Sequence, residues 1–144
     1  TTAKLSHQYE FVHDEVAYNY RMPNLNAALL LAQFENLDRI LNAKKQLYNL
    51  YRDFAPDLGL NILDIPHTTS QWNYWLISAK FTTRRERNEF LAVTNKKGIM
   101  TRPIWQLMYR LPMYSHCQRD SQENAEYLED RIVNIPSSAP KALL

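Results

Sequence analysis

AYNYRMPNLNAA, residues 17–28, combines a polar cluster with the start of an apolar helical pattern. Residues 17–21 hold an amide, a guanidinium and two phenols. Arginine offers a planar fork of donors that matches phosphate geometry, asparagine adds amide donors, and the positive end of a following helix favours an anion. The pattern therefore predicts an anion site at Asn19 and Arg21. The alternative is a helix-entry turn in which Asn19 caps the backbone and Arg21 pairs with a surface carboxylate.

One long helix is predicted over residues 23–55. Pro23 fits its first turn, where a missing N–H costs little, and Pro56 ends it because the residue before a proline is pushed out of the α region. Residues 1–22 show no such period and are expected to form an arm ahead of a domain at 23–144. Apolar side chains recur in the helix at spacings of three and four: Leu25, Ala28, Leu29, Ala32, Leu37, Ile40, Leu41, Leu47, Tyr48, Tyr51 and Phe54.

Short strands and helices are predicted in the rest of the chain. Thr83 and Glu86 form a capping box at a helix start. Gly98, after two lysines, is typical of that helix's C-terminus. A final helix should be capped by Asp120 or Ser121. Strands are predicted at 60–65, 73–81, 99–104 and 132–136, and the final helix at 122–131.

These elements predict an α+β fold, with a long N-terminal helix and a small, mainly antiparallel sheet covered on one face by helices. Pro103 should end its strand or mark a sheet edge, because proline cannot donate to a strand ladder. Residues 105–120 have no clear period. The acidic residues of the final helix are interpreted as a solvated face with Arg131: Glu123, Glu126, Glu129 and Asp130.

Composition argues against several classes of function. The 144 residues, 45% hydrophobic and 22% charged, are typical of a globular protein with a buried core. A net charge of +2, with no basic cluster beyond residues 84–87, disfavours nucleic acid as a partner. No apolar run approaches the roughly 20 residues of a membrane span. The single Cys117 excludes an internal disulfide and favours a cytoplasmic location.

Phosphate loops and metal sites are also disfavoured. Gly59 and Gly98 are the only glycines, whereas a phosphate-binding loop needs several so that backbone can approach phosphate. Any phosphate must therefore be held by side chains or by a helix N-terminus. No spacing of histidine, cysteine and carboxylate residues matches a zinc signature, so no metal site is predicted.

The second candidate site is the segment Gly98–Trp105. Arg102 lies on a predicted strand, and the Trp105 indole follows three residues later. A cation beside an indole can hold a phosphorylated or sugar ligand through charge and stacking. The alternative is a strand arginine packed over a core tryptophan. No catalytic residue is predicted, because no lysine shows the desolvation or neighbouring cation that activates an amine.

The chain also shows a family resemblance. Residues 18–28 closely resemble the Tyr-Asn-Tyr-Arg-Met-Pro-Asn-x-Asn-Ala-Ala signature of the DegT/DnrJ-type sugar aminotransferases, which use pyridoxal phosphate. In that family the signature lies mid-protein, so the chain is expected to be the C-terminal part of such an enzyme. Residues 98–113 are similar to the Gly-Ile-Met-Thr-Arg-Pro-x-Trp segment of a subgroup that acts in amino-sugar pathways on nucleotide-linked 4-keto sugars. Further likeness runs in order through residues 9–15, 27–38 and 124–138.

The resemblance implies a fold-type I transferase that works as a homodimer. The lysine that binds the cofactor is expected in a large domain upstream. Asn19 matches the family residue that reaches the cofactor phosphate of the partner subunit, and Arg21 lies in the same motif. Arg102 and Trp105 match a segment near the sugar-nucleotide site.

The implied activity belongs to the complete enzyme. It would transfer an amino group from an amino-acid donor, such as glutamate, to a nucleotide-linked keto-sugar. The isolated chain is expected to be inactive, because it lacks the cofactor-binding lysine. The alternative is a truncated paralogue that serves as a non-catalytic dimerisation or binding module.

Overall fold

The computed structural model describes residues 4–5, 8–10, 12–13, 15–16, 22–64 and 71–144. None of the helices in these ranges has both the length and the hydropathy to cross a membrane. The helices are α1 (Asn24–Phe34), α2 (Leu37–Phe54), α3 (Arg84–Lys96) and α4 (Glu123–Glu129). The strands are β1 (Lys4–Leu5), β2 (Val12–His13), β3 (Asn61–Ile62), β4 (Ile77–Lys80), β5 (Arg102–Pro103) and β6 (Ile132–Ile135).

The main sheet has four strands in the order β3-β4-β6-β5, and each pairing in it is antiparallel. The longest ladder joins β4 to β6, with Ile77 opposite Ile135 and Lys80 opposite Ile132. β1 and β2 form a separate antiparallel pair. Pro103 lies in the edge strand β5, where its missing N–H interrupts no inner ladder. The predicted α+β class with a small antiparallel sheet is confirmed.

The described strands are shorter than the sequence predicts, and the segment before β4 shows why. Tyr74 has φ +53°, a left-handed conformation that ends the extended run. The backbone N–H of Trp75 donates to Asn73 Oδ1 at 3.0 Å, which closes a local turn. The segment therefore enters the sheet only at Ile77, although it has strand composition from residue 73.

The prediction of one continuous helix over residues 23–55 is wrong, because α1 and α2 are separate. Asn36 lies between them with φ −111° and ψ 8°. Its amide donates to the carbonyl of Ala32 at 3.0 Å, and its Oδ1 accepts from Arg39 at 3.1 Å. Asparagine side chains compete with the backbone for hydrogen bonds, which explains a break that the apolar period does not show.

The hydrophobic core lies against one face of the β4–β6 pair. Tyr48 of α2 and Leu91 of α3 are buried on it, and Phe90 packs on Phe81 with ring centroids 4.9 Å apart. The strand side chains in the core occupy alternate positions, as a half-buried sheet requires. They are Ile77, Ala79, Val133 and Ile135.

α3 has the ends that the sequence predicts. The N–H of Glu86 donates to Thr83 Oγ1 at 3.2 Å, and Glu86 Oε2 accepts from the N–H of Thr82 at 3.1 Å. Gly98 follows the helix with φ +76°, which glycine adopts without a steric penalty.

α4 differs from its prediction. It begins without a side-chain cap, so the expected capping by Asp120 or Ser121 is wrong. Arg131, expected to pair with an acidic face, donates instead to the carbonyls of Thr82 and Tyr127 at 3.0 and 3.1 Å. Its guanidinium also lies 4.0 Å from the centre of the Tyr127 ring.

α1 contributes no buried residue to this core. Its large apolar side chains are between 43% and 72% exposed in the described structure. An apolar patch of this kind is typical of a surface that another polypeptide covers. These side chains are Leu25, Leu29, Leu30, Leu31 and Phe34.

We expect the isolated chain to self-associate through α1. Replacing both Leu25 and Leu29 with glutamine removes two leucines from one helix face. Burying one leucine contributes about 1.5–3 kcal/mol, so the double variant should weaken association by at least about tenfold. Sedimentation velocity over a concentration series measures this, with Val93→Gln, an exposed apolar position on α3, as the control. A wild-type chain that stays monomeric at high concentration would contradict the prediction.

Tyr48 links the core to Asp64. Its buried hydroxyl donates to Asp64 Oδ1 at 2.6 Å. Burial first, and then this hydrogen bond and the Asp64 charge, raise the pKa of Tyr48 from 10.0 to about 12. The folded state therefore favours the protonated phenol.

The pH dependence of stability should reveal this coupling. The stability that Tyr48 contributes is fully present below the unfolded-state pKa of 10.0 and is lost as pH rises towards about 12. Tyr48→Phe should start about 1 kcal/mol less stable, because it lacks the hydrogen bond. Its free energy of unfolding should then fall less steeply than that of the wild type over this pH range. Urea titrations at several pH values measure the two slopes, and parallel slopes would refute the coupling.

Candidate functional site

The predicted anion site at Asn19 and Arg21 lies outside the described residues, so it stays a prediction. The described chain resumes at Met22 and enters α1 through Pro23, which has φ −66° and ψ 156°. α1 begins at Asn24, so a helix N-terminus directly follows the motif, as expected.

Arg102 lies in the edge strand β5, and its side chain bonds to α3. Its Nη1 donates to Asn95 Oδ1 at 3.0 Å and to the carbonyl of Thr101 at 3.1 Å. Asn95 Nδ2 donates in turn to Thr101 Oγ1 at 2.9 Å, and Thr94 Oγ1 lies 2.6 Å from the same hydroxyl. Since Thr101 is buried, this network joins β5 to α3 inside the domain. Part of the Arg102 guanidinium therefore has a structural role.

Trp105 lies beyond β5 and packs against Trp75. The ring centroids are 6.1 Å apart, with the planes tilted by 41°. The two indoles are 48% and 65% exposed, so π surface faces outward. The turn at Tyr74 precedes Trp75, whose carbonyl accepts from Ser137 Oγ at 3.1 Å. Exposed aromatic faces of this kind suit a sugar ring or a base.

The two predicted substrate residues thus have different partners. Arg102 bonds to α3, whereas Trp105 contacts Trp75. The alternative arrangement, in which Arg102 packs over a core Trp105, is not found among the described contacts, and Trp105 is not buried. They lie three residues apart on one segment, and each could contact a different part of an extended ligand.

A buried carboxylate holds the segment that follows β5. Glu129 is 6% exposed, so its interpretation as part of a solvated face is wrong. Its Oε1 accepts the backbone N–H of Leu107 at 2.8 Å, and Arg110 Nη1 lies 2.5 Å from Oε2. The Glu129 carbonyl accepts from Arg87 Nη1 at 2.6 Å. One residue therefore joins α3, α4 and the segment that carries Trp105.

Arg87 is the second buried charge that the sequence analysis missed. Its Nε and Nη2 both donate to Asn88 Oδ1, at 3.1 and 2.8 Å. Burial, followed by the nearby Arg84 cation, lowers the pKa of Arg87. The available signal was its spacing of four residues from the buried Leu91, which places both on one face of α3.

Tyr109 and Arg110 extend this network across the loop surface. The Tyr109 hydroxyl donates to Glu126 Oε1 and accepts from Arg110 Nε at 3.1 Å. The Arg119 guanidinium lies 4.6 Å from the centre of the Tyr109 ring. The hydrogen bond with Tyr109 raises the pKa of Arg110 despite its partial burial. The irregular segment between β5 and α4 is therefore cross-linked to α4 by side chains.

A cleft of about 130 Å³ lies beside the network. Among the described residues that line it, cations and carboxylates are equal in number, so the charges of this part of the lining balance. The charged residues that line it are Arg84, Arg87, Arg110, Glu10, Glu129 and Asp130. In the described ranges, the cleft included, no three histidine, cysteine or acidic side chains group as metal ligands.

Comparison with known proteins assigns the chain to a family. The sequence model of the DegT/DnrJ/EryC1/StrS aminotransferase family matches residues 2–141. The chain belongs to this family. The resemblance seen at residues 18–28 and along the rest of the sequence is therefore confirmed.

Within this family the chain is similar to two GDP-perosamine synthases. It is 34% identical over 131 residues to the enzyme of Escherichia coli O157:H7, and the match covers 89% of this chain and 34% of that enzyme. It is 33% identical over 128 residues to the enzyme of Vibrio cholerae, covering 87% of this chain and 35% of that enzyme. The chain thus spans about one third of the length of these relatives.

A solved structure shares the fold. The chain superposes on a DegT DnrJ EryC1 StrS aminotransferase from Brucella abortus with a TM-score of 0.71 and 19% identity. The match covers 97% of this chain and 37% of that one. At this identity the likeness shows the fold alone.

Lys44 is the lysine that departs from the sequence expectation, because it is partly desolvated and makes a structural contact. Its Nζ donates to the carbonyl of Ser137, and burial lowers the pKa of Lys44. The bond ties α2 to the segment after β6. No described contact brings Lys44 to Arg102 or Trp105.

The hydrogen bonds from Arg102 to Asn95 and Thr101 should stabilise the isolated domain. Arg102→Met removes both donations from Nη1, and hydrogen bonds from charged groups contribute about 1.5–3 kcal/mol. We expect the free energy of unfolding to fall by about 1–3 kcal/mol, because the side chain is only partly buried. Lys45→Met, an exposed cation on α2, is the control and should change it by less than about 0.5 kcal/mol. Urea denaturation measures both, and equal costs would show that the Arg102 contacts do not stabilise the fold.

Proposed function

We propose that this chain is the C-terminal small domain of a pyridoxal-phosphate-dependent aminotransferase that aminates a nucleotide-linked keto-sugar. The supporting observation is the family match over residues 2–141, together with 34% identity to a GDP-perosamine synthase across 89% of the chain. The amino group would come from an amino-acid donor such as glutamate.

Asn19 and Arg21 would hold the cofactor phosphate. A guanidinium fork and an amide are donors suited to phosphate oxygens, and α1 begins at Asn24 with its positive dipole end next to the motif. Pyridoxal phosphate supplies the electron sink for amino transfer, and the protein supplies its binding and orientation. We expect these two residues to serve the active site of the partner subunit in a homodimer.

Arg102 and Trp105 would line the nucleotide-sugar site. The Arg102 side chain is positioned by Asn95 and Thr101, and it brings a positive charge to the edge of the sheet. Trp105, together with Trp75, offers exposed π faces for the sugar or the base. The charge would suit the diphosphate that links the two, because guanidinium groups pair with phosphate oxygens.

The remaining two thirds of the enzyme, by the length of the relatives, would carry the cofactor-binding lysine. The exposed apolar side chains of α1 are evidence that another polypeptide segment covers this helix in the complete protein. The same exposure favours a second candidate, a non-catalytic module that dimerises through α1. The two candidates differ in whether the full-length protein aminates a keto-sugar.

The test uses the full-length protein purified with pyridoxal phosphate. Glutamate and a GDP-linked 4-keto sugar are added, and mass spectrometry detects replacement of the keto oxygen by an amine. Turnover is expected, and Asn19→Ala should weaken cofactor binding by about 10–100-fold, because charge-assisted hydrogen bonds contribute about 1.5–3 kcal/mol. Asn42→Ala, at an exposed position on α2, is the matched control. The isolated 144-residue chain should show no turnover.

Two outcomes would count against the proposal. A folded full-length protein that aminates no nucleotide-linked keto-sugar would favour the dimerisation module. Equal cofactor affinity for Asn19→Ala and Asn42→Ala would remove Asn19 from the phosphate site while leaving the reaction class intact.

A further inference from the structure

We propose that Glu129 is a positioning residue for substrate binding. With Arg110 it holds the segment 104–110 against the end of α4, and this fixes Trp105 beside Trp75. The effect on substrate binding rests on the proposed function, whereas the attachment of segment 104–110 to Glu129 follows from the described contacts alone.

Trp105 lies between two backbone anchors. On one side the N–H of Ile104 donates to the carbonyl of Ile132 at 3.4 Å, the last bond from this segment to the sheet. On the other side the N–H of Leu107 donates to Glu129 Oε1 at 2.8 Å. The two donors and the two acceptors are each three residues apart. The segment thus runs along the α4–β6 junction with the indole between its two attachments.

Glu129 is itself fixed in place. Its carbonyl accepts from the buried Arg87 of α3 at 2.6 Å, and its side chain is 8% exposed. Its second oxygen lies 2.5 Å from Arg110 Nη1, so both carboxylate oxygens face the segment. An ion pair and a backbone hydrogen bond from one buried carboxylate make a stiffer attachment than either contact alone.

The side chain must be a carboxylate to make both contacts. Glutamine at this position keeps an acceptor for the Leu107 N–H but loses the charge that faces Arg110. Alanine removes both contacts and leaves Arg110 with its hydrogen bond to Tyr109 and the longer 3.9 Å contact to Glu126. The ordering of the segment should therefore fall from wild type to Glu129→Gln to Glu129→Ala.

Hydrogen–deuterium exchange of the full-length enzyme tests the hold on the segment. Peptides covering residues 104–110 should exchange about tenfold faster in Glu129→Ala, and by a smaller factor in Glu129→Gln. Peptides from α3 should not change. Glu123→Gln, an exposed carboxylate on the same helix, is the matched control and should match the wild type. Should Glu129→Ala fail to fold by circular dichroism, Glu129→Gln and Arg110→Gln give the same comparison.

Steady-state kinetics of the same variants test the effect on substrate. The KM for the nucleotide sugar should rise about tenfold in Glu129→Ala, because small misplacements of a binding group are costly. The KM for the amino donor and the cofactor absorbance should stay as in the wild type. A general loss of structure would instead change all of these together.

The exchange and kinetic results test separate parts of the proposal. Unchanged exchange at 104–110 overturns the hold on the segment, whatever the enzyme does. Faster exchange with an unchanged KM for the nucleotide sugar overturns the link to substrate. A wild-type enzyme that aminates no nucleotide sugar overturns the proposed function and the substrate effect together, and the exchange result still decides the role of Glu129 in the fold.

Discussion

The ladder between β4 and β6 is the contact on which the other elements depend. The ladder joins distant parts of the chain, with Ile77 opposite Ile135. Alternate side chains of the two strands form the sheet side of the hydrophobic core. Tyr48 of α2 and Leu91 of α3 pack against these side chains. The edge strands β3 and β5 each add only two residues. Without the ladder, neither helix would have an apolar surface to pack against.

Polar contacts then set the position of the segment that follows the sheet. Arg102 donates a hydrogen bond to Asn95 of α3. Glu129 accepts a hydrogen bond from the backbone N–H of Leu107 and forms an ion pair with Arg110. Glu129 is buried, and charge-assisted contacts are stronger where water is excluded. An irregular segment of this kind can present Trp105 in a fixed orientation, which a ligand-binding surface requires.

The sequence predicts the features that follow from local periodicity and capping. The ends of α3 are encoded by Thr83, Glu86 and Gly98, and the structure has them there. The break at Asn36 was missed because an apolar period does not register a side chain that competes for backbone hydrogen bonds. Glu129 was missed because its burial comes from tertiary contacts with Arg110 and Leu107, which no local pattern records.

The candidate site also has one part that the sequence predicts and another part that it does not. The family motif at residues 17–28 and the segment around Arg102 are visible in sequence because they carry distinctive residue types. The contact of Trp105 with Trp75 is not, since it depends on the left-handed Tyr74 and the turn around it. The chain belongs to the DegT/DnrJ/EryC1/StrS aminotransferase family and spans about a third of the length of the two GDP-perosamine synthases that it resembles.

The decisive measurement is a crystal structure of the full-length protein with pyridoxal phosphate and a nucleotide sugar. We expect Asn19 of one subunit to lie within about 3.2 Å of a cofactor phosphate oxygen in the other, a hydrogen-bond distance. We also expect Trp105 to contact the nucleotide sugar. A cofactor phosphate held without residues 17–28, or a nucleotide sugar bound away from residues 102–105, would contradict the proposed function of these residues.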